Sequence, residues 1–382
     1  MISSKKALIV TTVSGFVPQF ELNDVRLLQN MGYEVHYAAN YKTPIYGSDN
    51  SRLERTGIVQ HQVDFIRSPY RVLANIKAYR QLKKVLNEDT YQIIHCHTPM
   101  GAAICRLACR KHNKNTVKVI YTAHGFHFYD GAPLHNWLLY YPMEYFLARY
   151  TDVLITINEE DFQRGKRFPV EKCYRIPGPG FVYDRFKQDL FDRTELRRAL
   201  DIPVDAIVFI TIGELNRNKN QQAAIKALSK AKKECYYVLC GMGPCQDELM
   251  ELAKKLNIEK NVRFLGFRDD IPRILHACDC YLMLSKREGL GVASLEAMAA
   301  GLPIIALDNR GAREYVRDKK NGIMCYNIEE ISMAIDYFLE NRELLQSYGY
   351  ESQKIAKLFD QNEADRVMKE IYSSLITEEL IV

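Results

Sequence analysis

Glu288 and Glu296, with seven residues between them, bracket most of the stretch Arg287-Glu-Gly-Leu-Gly-Val-Ala-Ser-Leu-Glu-Ala-Met-Ala-Ala-Gly301. Gly289 and Gly291, with Leu290 between them, read as a turn, and the small residues that follow read as a helix stopping at Gly301, with Pro303 beyond. The apolar run ending at Leu284 precedes the turn, so the start of the helix is predicted beside a strand's carboxyl end. Free amides and the positive end of the helix dipole suit a diphosphate there, and glycines let a ligand approach the backbone closely. Carboxylates beside a diphosphate would repel it, so Glu288 and Glu296 are expected to grip sugar and ribose hydroxyls instead.

A second polar loop, Thr211-Ile-Gly-Glu-Leu-Asn-Arg-Asn-Lys-Asn220, also runs from a strand into a helix. It carries Gly213, Arg217 and Lys219, and its two bases can neutralise a leaving diphosphate without a metal. Two bases in a polar loop are equally at home as solvated groups, so the pairing with the Glu288 loop is what gives them weight. Gly241-Met-Gly-Pro244 reads as a tight turn entering a helix. The turn Gly266-Phe267-Arg268-Asp-Asp-Ile271 suits a nucleobase held by the backbone beside Phe267, or is a plain turn.

In the first half, Thr122-Ala-His-Gly-Phe-His-Phe128 follows a strand and puts two histidines in a loop. His124, next to a glycine, is placed to hydrogen-bond a sugar hydroxyl or a diphosphate. His95-Cys96-His97 lies in a strand, where side chains alternate faces, and reads as two imidazoles flanking a buried thiol rather than as a zinc site. Cys278 with Cys280, and Cys240 with Cys245, lack a second pair at finger-like spacing. No metal and no cofactor is expected. Val13-Ser-Gly15-Phe16 offers one glycine after the first strand, without Gly-x-Gly and without an acidic residue ending the second strand, which argues against a dinucleotide dehydrogenase. Gly15 is still expected to bring backbone amides toward a ligand.

These loops need rigid elements to position them. Apolar β-like runs at Ala7–Thr12, Tyr33–Ala38, Ile93–Cys96, Lys118–Thr122 and Val153–Thr156 alternate with helical patterns such as Phe20–Met31. After Pro177-Gly-Pro-Gly180 the alternation restarts at Ala206–Thr211, Tyr236–Cys240, Val262–Leu265, Cys280–Leu284 and Pro303–Ala306. Alternation of this kind predicts an α/β protein with two Rossmann-like parallel-sheet domains. The expected division is residues 1–180, a linker near 177–190, residues 181–364, and a C-terminal helix, 365–382, packing back toward the first domain. In that helix Val367, Ile371 and Ile376 lie on or near one face. Ligands of such sheets sit outside the carboxyl ends of the strands, so two loop clusters facing each other would form a cleft for donor and acceptor.

At 382 residues, with 47% apolar and 26% charged residues, the chain is long enough for two cores and ordinary in composition. Residues 1–183 carry 23 Lys and Arg against 15 Asp and Glu, the remainder 29 against 32, so the first half is the basic one. Its bases are scattered, which disfavours nucleic acid and suits an anionic acceptor, an anionic membrane surface or simple solvation. Between Tyr70 and Leu86, Val72, Leu73, Ile76, Leu82 and Leu86 fall at helical spacing opposite Arg71, Lys77, Arg80, Lys83 and Lys84. That pattern suits an interfacial helix, and core packing explains it equally well. The aromatic-rich Trp137–Tyr150 invites the same two readings. The N-terminal apolar run is too short for a signal peptide, no stretch is long enough to span a membrane, and ten cysteines read as free thiols in a reducing cytosol.

The Glu-x7-Glu loop, the Gly-Glu-Leu-Asn-x-Asn-Lys-Asn loop, the His-Gly-Phe-His-Phe loop and Asn136-Trp-Leu-Leu-Tyr-Tyr-Pro-x-Glu144 resemble glycosyltransferase family 4, which has the GT-B fold. The likeness covers nearly the whole chain and is strongest to the bacterial branch that builds polysaccharide repeat units on a polyprenyl diphosphate carrier. It implies a retaining, metal-independent transfer of a hexose or N-acetylhexosamine from a UDP-sugar to a lipid-linked saccharide, at the cytoplasmic face of the membrane. Carried over by position, Glu288 contacts the donor sugar, Glu296 the ribose, Lys219 the diphosphate and His124 the sugar on the acceptor side. Many members have Arg directly after the glycine of the first C-terminal loop; this chain has Glu214 there. A UDP-sugar epimerase of the same architecture and a noncatalytic nucleotide-sugar binder are the alternatives.

Overall fold

The computed structural model describes residues 5–46, 50–114, 116–186 and 192–377. The chain divides into two compact units, Met1–Pro179 with Asn362–Val382, and Gly180–Gln361. Residues 187–190, at the end of the expected linker, lie outside the described residues.

The first unit contains β1 (Lys5–Val13), β2 (Tyr33–Asn40), β3 (Val59–Gln62), β4 (Ile93–His97), β5 (Lys118–Ala123), β6 (Val153–Thr156) and β7 (Lys172–Arg175). They form one parallel sheet in the order β3-β2-β1-β4-β5-β6-β7. Ala7, Leu8, Ile9 and Val10 are fully buried, because helices cover both faces and a strand so enclosed is apolar throughout. The helices Val72–Glu88 and Pro99–Ala108 pack on this sheet through Ala78, Leu82, Ala102 and Cys105. Arg106 is buried, pairs with Glu144 at 2.8 Å and lies over the Tyr121 ring. It ties the helix Pro99–Ala108 to the helix Leu134–Ala148, which accommodates Pro142.

The C-terminal helix Gln361–Thr377 belongs to this unit, and its buried stripe is Ala364, Met368, Ile371, Tyr372 and Leu375. The stripe is displaced from the sequence reading: Val367 is only half-buried and the side chain of Ile376 lies outside the described residues. An aromatic anchor explains the displacement. The Tyr372 hydroxyl donates to Asp24 Oδ2 at 3.0 Å and meets His95 Nδ1 at 2.8 Å, so the helix rotates to bury a tyrosine with its partners.

The second unit contains β8 (Ile207–Ile212), β9 (Cys235–Cys240), β10 (Val262–Phe264), β11 (Cys280–Met283), β12 (Ile304–Leu307) and β13 (Gly322–Cys325), parallel in the order β10-β9-β8-β11-β12-β13. Its core is built from Phe209, Tyr237, Leu282, Ile305, Ile335 and Phe338. All ten cysteines of the chain are free, most of them buried. Among the described residues no helix is long and apolar enough to cross a membrane.

In each sheet the strand order reverses beside the first strand, between β1 and β4 and between β8 and β11. Connections leave in opposite directions at such a point, and a crevice opens outside the carboxyl ends of the strands. In the second unit backbone hydrogen bonds lace the loops after β8, β9 and β10 together along one side of it. Gly213 N–H donates to Cys240 O at 2.9 Å, Leu215 N–H to Met242 O at 3.0 Å and Gly241 N–H to Gly266 O at 2.7 Å. Gly241 has φ +142°, and a Cβ there would stand 2.0 Å from Gly213 O. Gly266 has φ +65° with nothing within 4 Å of such a Cβ. Gly266→Ala should therefore cost only the left-handed penalty, roughly 1–2 kcal/mol. Gly241→Ala must also push two loops apart, so urea unfolding should show a clearly larger loss; equal losses would mean that the close approach carries no energy.

Candidate active site

Two loops at the second unit's switch point form the site. One leaves β11 and turns through Gly291 into the helix Val292–Ala299; the other leaves β8 and reaches the helix Gln221–Leu228. Gly291 sits at the N-cap with φ +86° and no side chain caps this end, so its amides are available to a ligand or water. In the β8 loop, Asn216 Oδ1 accepts from the amides of Asn218 at 3.0 Å and Lys219 at 2.9 Å, which winds the chain into a tight turn. Asn218 then bridges the loops: its carbonyl accepts from Lys286 N–H at 2.8 Å and its side chain donates to Arg287 O at 3.0 Å.

This lacing brings Lys219 Nζ to 2.6 Å from Glu288 Oε2. Space for the pair comes from missing side chains. A Cβ on Gly213 would stand 3.3 Å from Lys219 Cε, one on Gly291 3.2 Å from Glu288 Cγ, and one on Gly311 3.2 Å from Glu288 Cβ. Glu296 lies in the helix just beyond; burial pushes its carboxyl up to about 7, against the pull of the Arg185 charge. Both glutamates lie close enough to the buried Tyr281 hydroxyl to add to the upward shift that burial gives it.

The remaining predicted residues are distributed unevenly around this pair. Leu290 is buried beneath the turn, next to Gly289, and packs the loop rather than offering a polar group. Arg217 is exposed and its nearest carboxylate is Glu248 at 3.9 Å, so it stands apart from Lys219 and Glu288. Glu214 is exposed and accepts from Asn216 Nδ2 at 3.0 Å, bracing the turn. Phe267 is 79% exposed, and Arg268 is held by Asp270 at 2.7 Å. Gly241 acts through the backbone packing described above. In the first unit, Gly15 N–H donates to Pro44 O at 2.9 Å, and a Cβ there would overlap Ile45 O. Gly15 is thus needed for a close backbone crossing, and its amide is already taken.

His124 follows β5, half-buried, with Phe16 edge-on at 5.0 Å. Burial pushes its imidazole down to about 4, leaving it neutral near pH 7. His127, three residues on, turns to Tyr140 instead, with ring centroids 4.6 Å apart. The structure also gathers residues that sequence spacing did not connect. His95 and His97 share one face of β4, their rings tilted with centroids 4.1 Å apart, and His97 Nδ1 lies 3.1 Å from His124 Nε2. Glu21 and Asp24 reach the same place from the segment after β1. His97 Nε2 and Glu21 Oε1 are buried without a hydrogen-bond partner among the described residues.

Sequence reasoning also missed Gly311, Asn309 and Arg185 in the second unit. Asn309 caps the helix Arg310–Tyr315 through the amides of Gly311 and Ala312 and bonds Ser285 O, fixing the back of the Glu288 loop. The Asn-Arg-Gly following the β12 run was a readable capping signal; Arg185 left none.

Known proteins agree with this architecture. A family model described as glycosyl transferases group 1 matches residues 192–355, and one described as glycosyl transferase 4-like matches residues 6–158. A Bacillus subtilis relative, the putative glycosyltransferase EpsD, is 38% identical over 379 residues, covering 97% of each chain. An Escherichia coli UDP-Gal:alpha-D-GlcNAc-diphosphoundecaprenol alpha-1,3-galactosyltransferase is 25% identical, over 81% of this chain and 80% of its own. Among solved structures, Anabaena Alr3699/HepE in complex with UDP and glucose superposes with a TM-score of 0.79 at 21% identity, over 97% of this chain and 100% of that one. With two parallel-sheet units matched along their length and a relative so similar end to end, the chain belongs to glycosyltransferase family 4 and has the GT-B fold.

Proposed function

We propose that this glycosyltransferase moves a hexose or N-acetylhexosamine from a UDP-sugar to a polyprenyl-diphosphate-linked saccharide, with retention and without a metal, in the assembly of a surface polysaccharide. The observation that carries the reading is the Lys219–Glu288 pair lodged among three glycines beside an uncapped helix start, at the switch point between β8 and β11. The named acceptor of the E. coli relative and the UDP held by the Anabaena structure support the choice of partners.

In this reading the amides of the Gly291 turn and Lys219 take the diphosphate, Glu288 the donor sugar, and Glu296 the ribose. His124 serves the sugar on the acceptor side as a neutral imidazole. The backbone around Gly213, Gly241 and Gly289, with Leu290 beneath, shapes the donor site, while Phe267 and Arg268 flank the base. Arg217 requires a side-chain movement to contribute. The acceptor oxygen bonds to the anomeric carbon on the face that UDP leaves, the bond to the phosphate oxygen breaks, and that oxygen takes the acceptor's proton. Such a step asks the protein for positioning and charge neutralisation more than for a strong base.

The deciding assay is UDP release from a panel of UDP-sugars and a GDP-sugar, with EDTA, with and without polyprenyl-diphosphate-sugar acceptors. Acceptor-dependent release from one UDP-sugar, spared by EDTA and reduced at least ~100-fold in Glu288→Ala, is the expected result. Conversion of one donor to its epimer without acceptor would put an epimerase in its place.

Glu296 gives a pH signature. Its carboxyl is protonated below about 7 and ionised above, and the carboxylate is the better acceptor for two ribose hydroxyls. UDP affinity should rise from pH 6 to pH 8, and Glu296→Gln should remove that portion of the rise. Calorimetric titration at several pH values measures both; parallel profiles would detach Glu296 from the ribose.

The cytoplasmic membrane surface is the proposed workplace. Tyr70, Val72 and Leu73 are 78%, 61% and 84% exposed at the start of the helix Val72–Glu88, with Arg67 and Arg71 beside them and Arg80 on its exposed side. Leu134 and Leu138 are similarly bare on the helix Leu134–Ala148. Leu82, by contrast, is buried, so the amphipathic pattern serves the core at one end and solvent at the other. Co-sedimentation should be stronger with anionic than with zwitterionic vesicles, and Leu73→Asp should weaken it roughly 10-fold. No preference between vesicles would remove the membrane from the proposal.

A further inference from the structure

The first unit's switch point holds a group of ligating atoms that the proposed transfer chemistry touches only at His124. Glu21 ends the short turn Val17–Glu21 after β1, His97 ends β4, and His124 follows β5. His97 Nδ1 is 3.1 Å from His124 Nε2, Glu21 Oε1 is 3.4 Å from His124 Nε2, and Glu21 Oε1 is 3.7 Å from His97 Nδ1. A triangle of these sides has a point about 2 Å from all three corners, the length of zinc–nitrogen and zinc–oxygen bonds, ~2.0–2.2 Å. Glu21 Oε1, the buried third corner, has no hydrogen-bond partner among the described residues.

The neighbouring trio Asp24, His95 and His97 also clusters, but chemistry excludes it. Both nitrogens of His95 are engaged, Nδ1 with Tyr372 at 2.8 Å and Nε2 with Thr122 at 2.7 Å, which leaves no lone pair for an ion. His97 Nδ1 and His124 Nε2 have no such competitors: among the described residues they hydrogen-bond only each other. The backbone is set for the purpose as well. Thr98, next to His97, takes φ +64°, and its hydroxyl accepts from Thr12 N–H at 2.8 Å, clamping the end of β4 against β1.

We propose that Glu21, His97 and His124 form a binding site for one zinc-class divalent cation, with two imidazoles, one carboxylate and an open fourth position. Strand alternation argued against zinc at His95-Cys-His97 because it considers one strand at a time; here the ligands come from three segments at a switch point. The ion is not needed for transfer. By coordinating His124 it withdraws that imidazole from the sugar, so zinc slows the enzyme reversibly. Only this last consequence rests on the role proposed for His124.

The test is calorimetric titration of the full chain, freed of metal, with zinc, followed by cobalt(II) as a spectroscopic substitute. One equivalent should bind, cobalt should show the visible ligand-field bands of a four-coordinate site, and His97→Ala, His124→Ala and the near-isosteric Glu21→Gln should each abolish the stoichiometric phase. Thermal melting without metal verifies that the variants fold, and His124, the most exposed of the three, supplies the least disruptive change. Absence of stoichiometric binding, binding that survives in the variants, or a thiolate-to-cobalt charge-transfer band would overturn the site. If zinc binds through these residues and transfer is unaffected, the site stands and the role given to His124 falls.

Discussion

A parallel sheet covered by helices on both faces gives its chain one polar outlet, the ends of the strands, and everything distinctive about this protein follows from how those ends are used. Residues such as Leu8 to Val10 and Val208 to Ile210 are completely enclosed and have no alternative to being apolar. Polar chemistry is therefore pushed into the loops at the carboxyl ends, and the reversal of strand order decides which loops share a crevice. β8 and β11 are far apart in sequence and adjacent in the sheet, which is why Lys219 and Glu288, 69 residues apart, meet at 2.6 Å.

That pair illustrates how backbone geometry outranks side-chain attraction. A partly exposed ion pair contributes little by itself, of the order of 1 kcal/mol or less. The two loops are held instead by main-chain and Asn218 hydrogen bonds, and the pair forms because three glycines leave its carboxylate and ammonium room to sit among backbone atoms. A site organised this way has its charges in position before any ligand arrives, and little reorganisation remains to oppose binding.

Both sheets and most strands were legible because fully buried strands produce uninterrupted apolar runs; β13, Gly-Ile-Met-Cys, is too short a run and went unread. The edge strands β3, Val-Gln-His-Gln, and β7, Lys-Cys-Tyr-Arg, lack such runs, as edges half-open to solvent do, and went unread. In the second unit Glu288, Glu296 and Lys219 could be proposed because their loops carry glycines and a helix start at short range. Arg217 and Arg268 carried the same local signal, yet one stands in solvent and the other is neutralised by Asp270, an outcome that depends on loop conformation rather than on residue type. Gly15 shows the same limit: its need for a missing side chain was visible, but the partner, Pro44 and Ile45, lies a whole βα unit away.

The two switch points solve opposite electrostatic problems. In the second unit a carboxylate is matched by Lys219, and no side chain caps the helix start beside the pair. In the first, Glu21 and Asp24 are buried among imidazoles, and one oxygen of Glu21 has no hydrogen-bond donor among the described residues. Leaving a buried carboxyl oxygen unmatched costs about 1–3 kcal/mol, which ordinary core packing removes by substituting an apolar residue. Retaining Glu21 at the mouth of a sheet, against two histidines whose ring nitrogens converge on it, is consistent with a group whose partner arrives from outside the chain.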